Sequence, residues 1–492
     1  MTSCAEIIAN SAAQFGTSGV RGLVEDLDDA TCFAYTSAFL THLKVSQGLK
    51  PGMSVWVGMD LRPSSPRMAA ACLAAIAHIG CRPVFCSVIP TPALAHSALK
   101  DKAPAVMITG SHIPFDRNGI KFYRASGEML KEDEAPTVTS SAIFPDAKFQ
   151  SGKLFPQFNL PPAVPSAEAS WRLRYQSAFE GLLEGMTIGH YQHSAAGRDL
   201  LSRILQDLGA KVVPLDRSEV FVPIDTEAVS SADQRQARRW TEEHGLDALI
   251  STDGDGDRPL LGDEQGNYFR GDTLGILAAK ALQATHVITP VSSNGALEKT
   301  GWFKTILRTK IGSPHVIAAM QNAERENAGA KVVGFEANGG LLLQTALTSP
   351  WNDAPMTLLP TRDSVLPVLA VIALARRMKL ALSKLHGLLP NRVTASDRLV
   401  DTPRESSLTL IERLKDDPQK AANLNIIGAA LVSSDDTDGW RMTFANEDVV
   451  HIRPSGNAPE LRIYVESDSD ESAAMLLQHA RASIETLVKL RN

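Results

Sequence analysis

Apolar runs typical of buried strands alternate with helix patterns along most of this chain of 492 residues. In the first third, strand-like runs at 55–59, 83–88 and 105–109 surround an alanine-rich helix pattern at 66–79 that begins with a proline. Strands that alternate with helices usually pair in parallel, because each helix carries the chain back across one face of the sheet. This order predicts an α/β fold with a largely parallel sheet.

The same alternation returns twice before residue 380. The second stretch is predicted to contain strands at 187–191, 211–215 and 247–251 and helices at 196–208 and 232–244. The third is predicted to contain strands at 286–291, 305–309 and 331–335, a helix that starts near Asn294, and helices at 314–328 and 362–378. Three α/β units of similar construction are therefore expected.

The last hundred residues have a different pattern. Strand-like runs at 426–433, 441–446, 449–453 and 461–466 follow one another without intervening helices, and a helix pattern at 471–490 closes the chain. Consecutive strands of this kind predict an antiparallel sheet covered by a helix, so the C-terminal unit is expected to be α+β.

A proline-rich stretch marks the first predicted domain boundary. Residues 155–166 hold four prolines with almost no charge, which is typical of a stiff, extended linker. Together with the changes of pattern further along, this stretch predicts four domains, at residues 1–165, 166–262, 263–388 and 389–492.

The composition of the chain limits the kinds of molecule that the protein is expected to bind. A net charge of −6 and a pI near 6.1 argue against nucleic-acid and membrane-surface binding, whereas a basic cleft in an acidic protein can still attract a small anion. All five cysteines lie in the first 86 residues without a Cys-x-x-Cys pair, and we find neither a targeting segment nor an apolar run long enough to span a bilayer. We therefore expect a cytoplasmic protein, monomeric or homodimeric, that binds a small anionic molecule.

The first candidate site is the loop that follows the third strand-like run. It carries Ser111, a hydroxyl at the carboxyl end of a buried strand, where open α/β sheets place their chemistry. The cations His112 and Lys121 follow it, and an earlier glycine-rich segment, 15–22, adds Arg21 beside backbone amides that suit a phosphate. At this point a plain turn of glycine and serine remains an alternative.

The second candidate site, after the strand at 247–251, is a metal-binding loop. Asp253, Asp255 and Asp257 alternate with glycines that let the chain curl around an ion, and three carboxylates suit a hard cation such as Mg²⁺ or Ca²⁺. An EF-hand has the same carboxylate spacing, but it needs glycine where Arg258 stands and a helix where a strand precedes this loop. The pattern favours a Mg²⁺ site open to a phosphoryl oxygen, with Arg258 sharing the charge.

The third candidate site follows the strand at 331–335. Glu336 and Asn338 place a carboxylate and an amide two residues apart on a glycine-flanked turn, an arrangement that suits the vicinal hydroxyls of a sugar. Lys310 and His315, which lie around a helix start, are expected to reach the same cleft. An ordinary Asn-Gly-Gly turn and a surface histidine are the alternatives.

The fourth candidate site is a hairpin of the C-terminal unit. It offers two guanidiniums, a hydroxyl, a side-chain amide, and backbone N–H groups that a glycine leaves accessible. These groups come from Arg453, Ser455, Gly456, Asn457 and Arg462. Such a set suits a phosphate. Strand alternation turns Arg462 away from the apolar residues on either side of it. A solvated hairpin is the alternative.

Four such loops in this order resemble those of the α-D-phosphohexomutase family over residues 15–466. The matching motifs are Thr-Gly-Ser-His-Ile-Pro, Asp-Gly-Asp-Gly-Asp-Arg, Gly-Phe-Glu-Ala-Asn-Gly-Gly and Arg-Pro-Ser-Gly-Asn-Ala-Pro. The set is most similar to the bacterial phosphomannomutase and phosphoglucomutase branch. The resemblance implies a heart-shaped molecule with one central cleft, formed by three related α/β domains and a smaller C-terminal domain of TATA-binding-protein-like form. The chain departs from many members at Ile113, Asn338 and Asn457, where asparagine, serine and threonine are usual.

The resemblance also implies roles for the four loops. Ser111 would carry a phosphoryl group, and one of the phosphoserine oxygens would join the three aspartates around Mg²⁺. Glu336 and Asn338 would hold the sugar, and the fourth loop would hold the phosphate that is not reacting. Lys121, His112 and Arg21 are the candidates for proton transfer and charge stabilisation at the serine. Lys121 ranks first, because cationic surroundings favour loss of its proton.

These parts suit transfer of a phosphoryl group between the 1- and 6-oxygens of a hexose. Phosphorylated Ser111 would donate to the free hydroxyl, and the resulting hexose 1,6-bisphosphate, also the expected activator, would turn over in the cleft. The expected function is a phosphohexomutase for mannose phosphates and also for glucose phosphates.

Functions of other kinds are the alternatives. A sugar-phosphate sensor without catalysis and a glucosamine-phosphate mutase stay open as alternatives. The adjacent Ser111 and His112 cannot form the relay of a serine hydrolase, because their side chains diverge along the chain.

Overall fold

The computed structural model describes residues 2–455 and 459–489, in which four larger sheets follow one another along the chain. We call each of these sheets, with its helices, a unit. The α/β fold class predicted from the sequence is confirmed: three units are α/β and the last is α+β.

The first unit contains a seven-stranded sheet. The strands of this unit are β1 (Gln14–Phe15), β2 (Val20–Leu23), β3 (Ser54–Met59), β4 (Arg82–Val88), β5 (Ala105–Ile108), β6 (Arg117–Arg124), β7 (Gly127–Glu128), β8 (Phe149–Gln150) and β9 (Lys153–Leu154). Its helices are α1 (Cys4–Ala9), α2 (Asp29–Ser46), α3 (Ser65–His78), α4 (Thr91–Lys100) and α5 (Glu134–Val138). The sheet order is β1-β2-β6-β5-β3-β4, with β7 beside β6, and β8 and β9 form a separate hairpin.

The second unit contains a four-stranded sheet with the order β11-β10-β12-β13. These strands are β10 (Thr187–His193), β11 (Lys211–Arg217), β12 (Ala248–Thr252) and β13 (Pro259–Gly262). The helices are α6 (Ser166–Phe179), α7 (Arg198–Asp207) and α8 (Ser231–His244).

The third unit contains a five-stranded sheet and a short hairpin. Its strands are β14 (His286–Pro290), β15 (Thr305–Thr309), β16 (Val332–Phe335), β17 (Leu341–Leu343), β18 (Leu347–Thr348), β19 (Pro355–Met356) and β20 (Leu359–Asp363). Its helices are α9 (Gly271–Ala281), α10 (Ala296–Lys299), α11 (Ser313–Glu326) and α12 (Val365–Met378). The sheet order is β15-β14-β16-β17-β20, and β18 pairs with β19.

The first three sheets share one local order. In β4-β3-β5-β6, β11-β10-β12-β13 and β15-β14-β16-β17, three parallel strands are followed by an antiparallel fourth. The fourth strand is antiparallel because a short loop, without a helix, joins it to the third. That loop carries Ser111 in the first unit, the three aspartates in the second, and Glu336 with Asn338 in the third. Three of the candidate sites therefore occupy equivalent positions in three related units.

The fourth unit is an antiparallel sheet with the order β21-β25-β24-β23-β22. Its strands are β21 (Val393–Leu399), β22 (Leu431–Asp435), β23 (Trp440–Phe444), β24 (Val449–Pro454) and β25 (Leu461–Ser467). The helices are α13 (Arg404–Lys415), α14 (Pro418–Ala422) and α15 (Asp470–Lys489). Leu461, Ile463 and Val465 are buried against the helices, as the strand alternation predicted.

Two predicted elements start three or more residues too early. The helix predicted at 362–378 starts at Val365, because Asp363 Oδ1 accepts hydrogen bonds from the amides of Val365 and Leu366 at 2.9 and 3.1 Å. Arg362 therefore lies in the strand β20 and not in the helix. The strand predicted at 426–433 starts at Leu431, and the side chain of Asn425 holds the preceding residues in a turn.

The first three units share one hydrophobic core. Leu94 of α4, Trp171 of α6, Ile276 of α9 and Leu369 of α12 belong to the same buried cluster. Residues 155–165 cross the surface without helix or strand, as expected of a linker, although the domain boundaries themselves stay predictions. None of the described helices is long and apolar enough to cross a membrane.

Candidate active site

Ser111 lies in the loop between β5 and β6 with a backbone φ of +55°, a left-handed conformation that is uncommon for serine. Its Oγ donates a hydrogen bond to Asp253 Oδ2 at 2.6 Å, and its side chain is buried. Thr109 Oγ1 fixes the turn by accepting a hydrogen bond of 2.8 Å from the Ser111 amide. Non-glycine residues in this conformation cluster at functional sites, which favours Ser111 as a reactive residue.

A buried arginine that the sequence analysis missed braces this loop. Arg62 Nε pairs with Asp60 Oδ2 at 3.1 Å. Its terminal nitrogens donate to four carbonyls of the loop and the strand after it, those of Ser111, Ile113, Pro114 and Arg117. The available signal was the sequence Asp-Leu-Arg at 60–62, directly after a predicted strand and so at the functional edge of the sheet.

The three aspartates of the second loop form a buried cluster at the end of β12. Possible ligand oxygens of Asp253, Asp255 and Asp257 all lie within 4.8 Å of one another. Oδ1 of Asp255 and Oδ1 of Asp257 have no hydrogen-bond partner among the described residues, a costly state for buried carboxylate oxygens. Burial and the neighbouring charges of Asp255 and Asp257 raise the pKa of Asp253 well above its usual range. The cluster therefore fits a divalent cation.

Lys121 contacts the aspartates directly. Its Nζ lies 2.6 Å from Asp255 Oδ2 and 2.6 Å from Asp257 Oδ2, and 3% of the side chain is exposed. The nearest charged neighbours of Lys121 are therefore carboxylates, and not the cations that were expected around it from the sequence. Sequence could not reveal this contact, since Lys121 and Asp255 are 134 residues apart.

Two arginines that were predicted from the sequence add positive charge around Ser111. Arg258 Nε lies 3.8 Å from Asp253 Oδ2 and 3.9 Å from Asp257 Oδ1. Arg21 donates a hydrogen bond to the carbonyl of Thr109, at the start of the serine loop. The structure therefore places Arg258 beside the buried carboxylates and Arg21 against the start of the serine loop.

His112 follows the serine but is not a cation in this setting. The charge of Arg258, assisted by burial and by Arg21, lowers the pKa of His112 to about 2, so its imidazole is neutral at physiological pH. Burial, with Arg62 and Arg258 adding to it, likewise lowers the pKa of Arg21 to about 10. Neighbouring guanidiniums contribute to both shifts, although burial is the larger cause for Arg21.

The third loop is joined to the aspartates by Arg362, another residue that the sequence analysis missed. Arg362 Nη1 donates to Glu336 Oε2 at 2.7 Å, and its Nη2 donates to Asp257 Oδ2 at 2.8 Å. The carboxylates raise the pKa of Arg362 well above its usual range, although burial alone would lower it. Asn338 is buried, and its Oδ1 accepts a hydrogen bond of 2.9 Å from the Gly340 amide, so part of its side chain stabilises its own turn.

Lys310 and His315 lie beside the fourth unit. Lys310 is exposed and His315 is half-buried, on either side of the start of α11. Between them, the Ile311 amide donates to Asp438 Oδ2 at 3.0 Å, and Asp438 Oδ2 also lies 3.7 Å from Arg453 Nη1. The structure therefore groups these two residues with the fourth loop, and no direct contact with the aspartates is present among the described residues.

Arg453 and Arg462 face each other on adjacent strands, β24 and β25. Arg462 Nη2 pairs with Glu460 Oε2 at 2.8 Å, and 36% of its side chain is exposed. Ser455 is buried next to this pair. The two other members of the predicted clamp, Gly456 and Asn457, lie outside the described residues.

A third arginine extends this pair across the sheet. Arg398 of β21 stands opposite Arg462, and its Nη1 lies 3.3 Å from Glu460 Oε1. Like charges directly opposite one another destabilise a sheet, so three arginines on adjacent strands suit a bound anion. No strand was predicted at β21, because residues 394–398 are mostly polar and lack the apolar run of a typical strand.

Comparison with known proteins identifies the family. Models of the phosphoglucomutase/phosphomannomutase α/β/α domain I, α/β/α domain III and C-terminal domain match residues 12–144, 270–392 and 405–483. A phosphomannomutase from Salmonella muenchen is 45% identical over 484 residues, which cover 98% of this chain and 97% of the relative. The chain belongs to the phosphoglucomutase/phosphomannomutase family.

Other members of the phosphoglucomutase/phosphomannomutase family agree with this assignment. A phosphomannomutase from Sinorhizobium fredii is 42% identical, with 95% of this chain and 98% of the relative covered. The crystal structure of a phosphoglucomutase/phosphomannomutase family protein from Burkholderia thailandensis has the same fold, with a TM-score of 0.73, 18% identity, and coverage of 99% of this chain and 98% of that one. The chain is therefore an enzyme of this family, and its candidate residues lie within or between the matched domains.

Proposed function

We propose that this enzyme is a phosphohexomutase that interconverts hexose 1-phosphates and hexose 6-phosphates, with mannose phosphates preferred and glucose phosphates as a second substrate. The hydrogen bond of 2.6 Å between Ser111 Oγ and Asp253 Oδ2 carries the proposal. It sets a serine hydroxyl against a buried carboxylate cluster, which is the pairing of phosphoryl carrier and cation site that phosphoryl transfer needs. The preference for mannose is supported by the relatives that are named phosphomannomutase.

We infer that Mg²⁺ binds to Asp253, Asp255 and Asp257 together with an oxygen of phosphorylated Ser111. The buried Oδ1 atoms of Asp255 and Asp257 support this, because they lack hydrogen-bond partners among the described residues and suit a hard cation. When bound, the ion spreads the negative charge of the transferring phosphoryl group. Arg258 shares that charge from the adjacent position.

Phosphorylated Ser111 donates its phosphoryl group to the free hydroxyl of the hexose monophosphate. The bond between phosphorus and Ser111 Oγ breaks, a bond to the sugar oxygen forms, and the proton of the sugar hydroxyl ends on the serine oxygen. Lys121 is our first candidate for moving this proton, because its Nζ contacts the carboxylates beside Ser111. Neutral His112 is the second candidate, and Arg21 stabilises charge at the start of the serine loop.

The bisphosphate formed in this step must turn round and return its other phosphoryl group to Ser111. Glu336 and Asn338 bind the sugar. Arg453, Ser455 and Arg462, with Gly456 and Asn457, bind the phosphate that is not reacting, and Lys310 and His315 assist them from the third unit. Because unphosphorylated Ser111 cannot start the cycle, hexose 1,6-bisphosphate acts as the activator.

We also infer that the enzyme works in the cytoplasm as a monomer or homodimer, without nucleic acid or membrane partners. The five cysteines are free and buried, which suits a reducing compartment. The net charge of −6 disfavours polyanionic partners.

A coupled assay on mannose 1-phosphate and glucose 1-phosphate, with Mg²⁺ and glucose 1,6-bisphosphate, tests the proposal. We expect turnover of both sugars, faster with mannose, and loss of turnover when a chelator removes the cation. Tight binding of hexose phosphates without turnover under these conditions would contradict the proposal and favour a sensor. Turnover of glucosamine 1-phosphate alone would contradict the assigned sugar.

A further inference from the structure

The hydroxyl of Thr91 lies against the aspartate loop, which we define as residues 253–257. Thr91 is the first residue of α4 in the first unit and is fully buried. Its Oγ1 donates a hydrogen bond of 2.5 Å to Asp255 Oδ2, and its amide donates one of 2.8 Å to the carbonyl of the same aspartate. One residue of the first unit therefore fixes both the backbone and the side chain of Asp255, which belongs to the second unit.

The glycine at position 256 allows this close approach. Gly256 has a φ of +72°, and an added Cβ would lie 2.8 Å from the Cβ of Pro90, the residue before Thr91. A larger residue would therefore push the aspartate loop away from the start of α4. The glycine thus serves the contact with the first unit as well as the turn of the loop.

The other units hold one oxygen of each aspartate. Oδ2 accepts hydrogen bonds from Ser111 at Asp253, from Thr91 and Lys121 at Asp255, and from Lys121 and Arg362 at Asp257. Oδ1 of Asp255 and Oδ1 of Asp257 have no hydrogen-bond partner among the described residues. Side chains of the first and third units therefore determine which oxygen of these two aspartates remains available to a cation.

We propose that Thr91 is a positioning residue for the divalent cation, because its hydroxyl holds Asp255 Oδ2 and so keeps Oδ1 available to the ion. This inference rests on the proposed Mg²⁺ site. A carboxylate that rotates freely loses entropy when it binds an ion, whereas one that is fixed by an outer hydrogen bond is already oriented. Partners of this kind contribute about ten- to a hundredfold to metal affinity.

Thr91 can be changed without changing the charge of the site. Lys121 also contacts Asp255 Oδ2, at 2.6 Å, but its replacement would remove a positive charge and a candidate for proton transfer. Thr91→Val removes the hydroxyl, keeps nearly the same shape and retains the backbone amide that binds the carbonyl of Asp255. An effect of Thr91→Val on the cation therefore reports on the orientation of the carboxylate.

Docking of α4 on the second unit is the competing explanation. In that case, loss of the hydroxyl would lower the free energy of unfolding, because Thr91 is buried between two units, and Mg²⁺ would bind as it does to wild type. Metal affinity separates the two explanations, since docking alone assigns no role to the orientation of the carboxylate.

The experiment measures the dissociation constant of Mg²⁺ by calorimetric titration in wild type, Thr91→Val, Thr91→Ala, Thr91→Ser and the control Thr36→Val. Thr36 is equally buried, in α2 of the same unit, and its hydroxyl donates to the carbonyl of Cys32 within that helix. All proteins are first brought to one phosphorylation state of Ser111, checked by intact mass, because a phosphoserine oxygen is itself an expected ligand.

We expect Thr91→Val and Thr91→Ala to raise the dissociation constant of Mg²⁺ by about ten- to a hundredfold. Thr91→Ser keeps the hydroxyl and should bind Mg²⁺ nearly as well as wild type, as should Thr36→Val. Wild-type affinity in either variant without the hydroxyl would overturn the inference, and so would a loss in Thr91→Ser as large as that in Thr91→Val. Thr91→Ala keeps the test decisive if Thr91→Val does not fold, because it puts no added methyl group beside the carboxylate.

The failure of this inference and the failure of the proposed function give different results. If wild type binds Mg²⁺ and turns over hexose phosphates while Thr91→Val matches it in affinity, the function stands and the inference alone fails. If wild type turns over hexose phosphates but binds no Mg²⁺, the metal site fails and the inference fails with it. If wild type binds Mg²⁺ but turns over neither hexose monophosphate, the proposed function fails, and the titrations still decide the role of Thr91.

Discussion

The centre around Ser111 and the clamp in the fourth unit are built in opposite ways. In the centre, Lys121 of the first unit and Arg362 of the third both contact Asp257 of the second, and all three side chains are at most 5% exposed. In the clamp, the described ion pairs of Arg453 and Arg462 are with carboxylates of their own unit, and much of Arg462 is exposed. Ion pairs therefore join the units at the centre, whereas the clamp is open.

This difference follows from what each region has to do. Charges that stabilise a transferring phosphoryl group are effective when they are fixed in advance and shielded from water. A clamp must admit the phosphate of either monophosphate and release it when the bisphosphate turns round. We therefore expect substitutions of the ion-paired residues in the centre to change both turnover and stability, and substitutions in the clamp to change affinity alone.

Ser111→Ala should have the largest effect on turnover. Removing the phosphoryl carrier should lower kcat by more than about 10⁴-fold, because no other group in the centre can take its place. Circular dichroism and the thermal midpoint should remain close to wild type, since one hydroxyl is lost and little packing changes. Residual activity within tenfold of wild type would show that Ser111 is only part of a turn.

Asp255→Asn should be the next most harmful change. One anionic ligand becomes neutral, and we expect kcat to fall by about a thousandfold and Mg²⁺ to bind more weakly. Calorimetric titration with Mg²⁺ and an assay with increasing Mg²⁺ measure the two effects. The variant should also be inactive with Ca²⁺; normal turnover in the presence of a chelator would contradict a metal site.

Arg362→Met tests the ion pairs that join the units at the centre. It leaves Asp257 and Glu336 buried without their shared partner, so the free energy of unfolding should fall by about 3 to 5 kcal/mol and turnover should fall with it. Denaturant unfolding measures the first effect. Arg377→Met, at an exposed arginine of α12, is the control and should change stability by less than about 0.5 kcal/mol. Equal stability of the two variants would mean that the centre is not braced in this way.

Arg462→Ala should have the smallest effect of the four and should leave stability unchanged. Loss of one charge-assisted contact should weaken both hexose monophosphates and the bisphosphate by about 1.5 to 3 kcal/mol, which appears in KM more than in kcat. Mg²⁺ affinity should survive, because the aspartates lie in another unit. Arg481→Ala, on α15, is the matched control, since its pairing with Asp397 is also exposed. Unchanged affinity for glucose 1,6-bisphosphate would show that the hairpin does not bind the phosphate.

The sequence predicted the loops better than the contacts between them. Ser111 and Asp253 each follow a recognisable strand, so each carries a local signal, yet the hydrogen bond that joins them spans 142 residues. Long-range contacts of this kind depend on how the units pack, and no local pattern encodes that packing. For the same reason, Lys121 was predicted at the site but with the wrong surroundings.

The residues that were missed carry at most a weak signal in the local sequence. Arg362 stands just before a strong apolar helix pattern. Only the side chain of Asp363 marks the start of that helix, which lies three residues after Arg362. Arg398 lies on a strand whose residues are mostly polar, because that strand closes the edge of a sheet. Arg62 looks like a surface turn residue until the four carbonyls that it binds are seen.

The phosphorylation state of Ser111 during turnover tests the central claim most directly. Wild type and Ser111→Ala are incubated with glucose 1,6-bisphosphate and Mg²⁺, and intact-mass measurement is followed by peptide mapping. We predict one phosphoryl group on wild type, located on Ser111 and transferable to added mannose 1-phosphate, and none on the variant. An active wild type whose Ser111 is never phosphorylated, or whose phosphoryl group lies on another residue, would contradict the account.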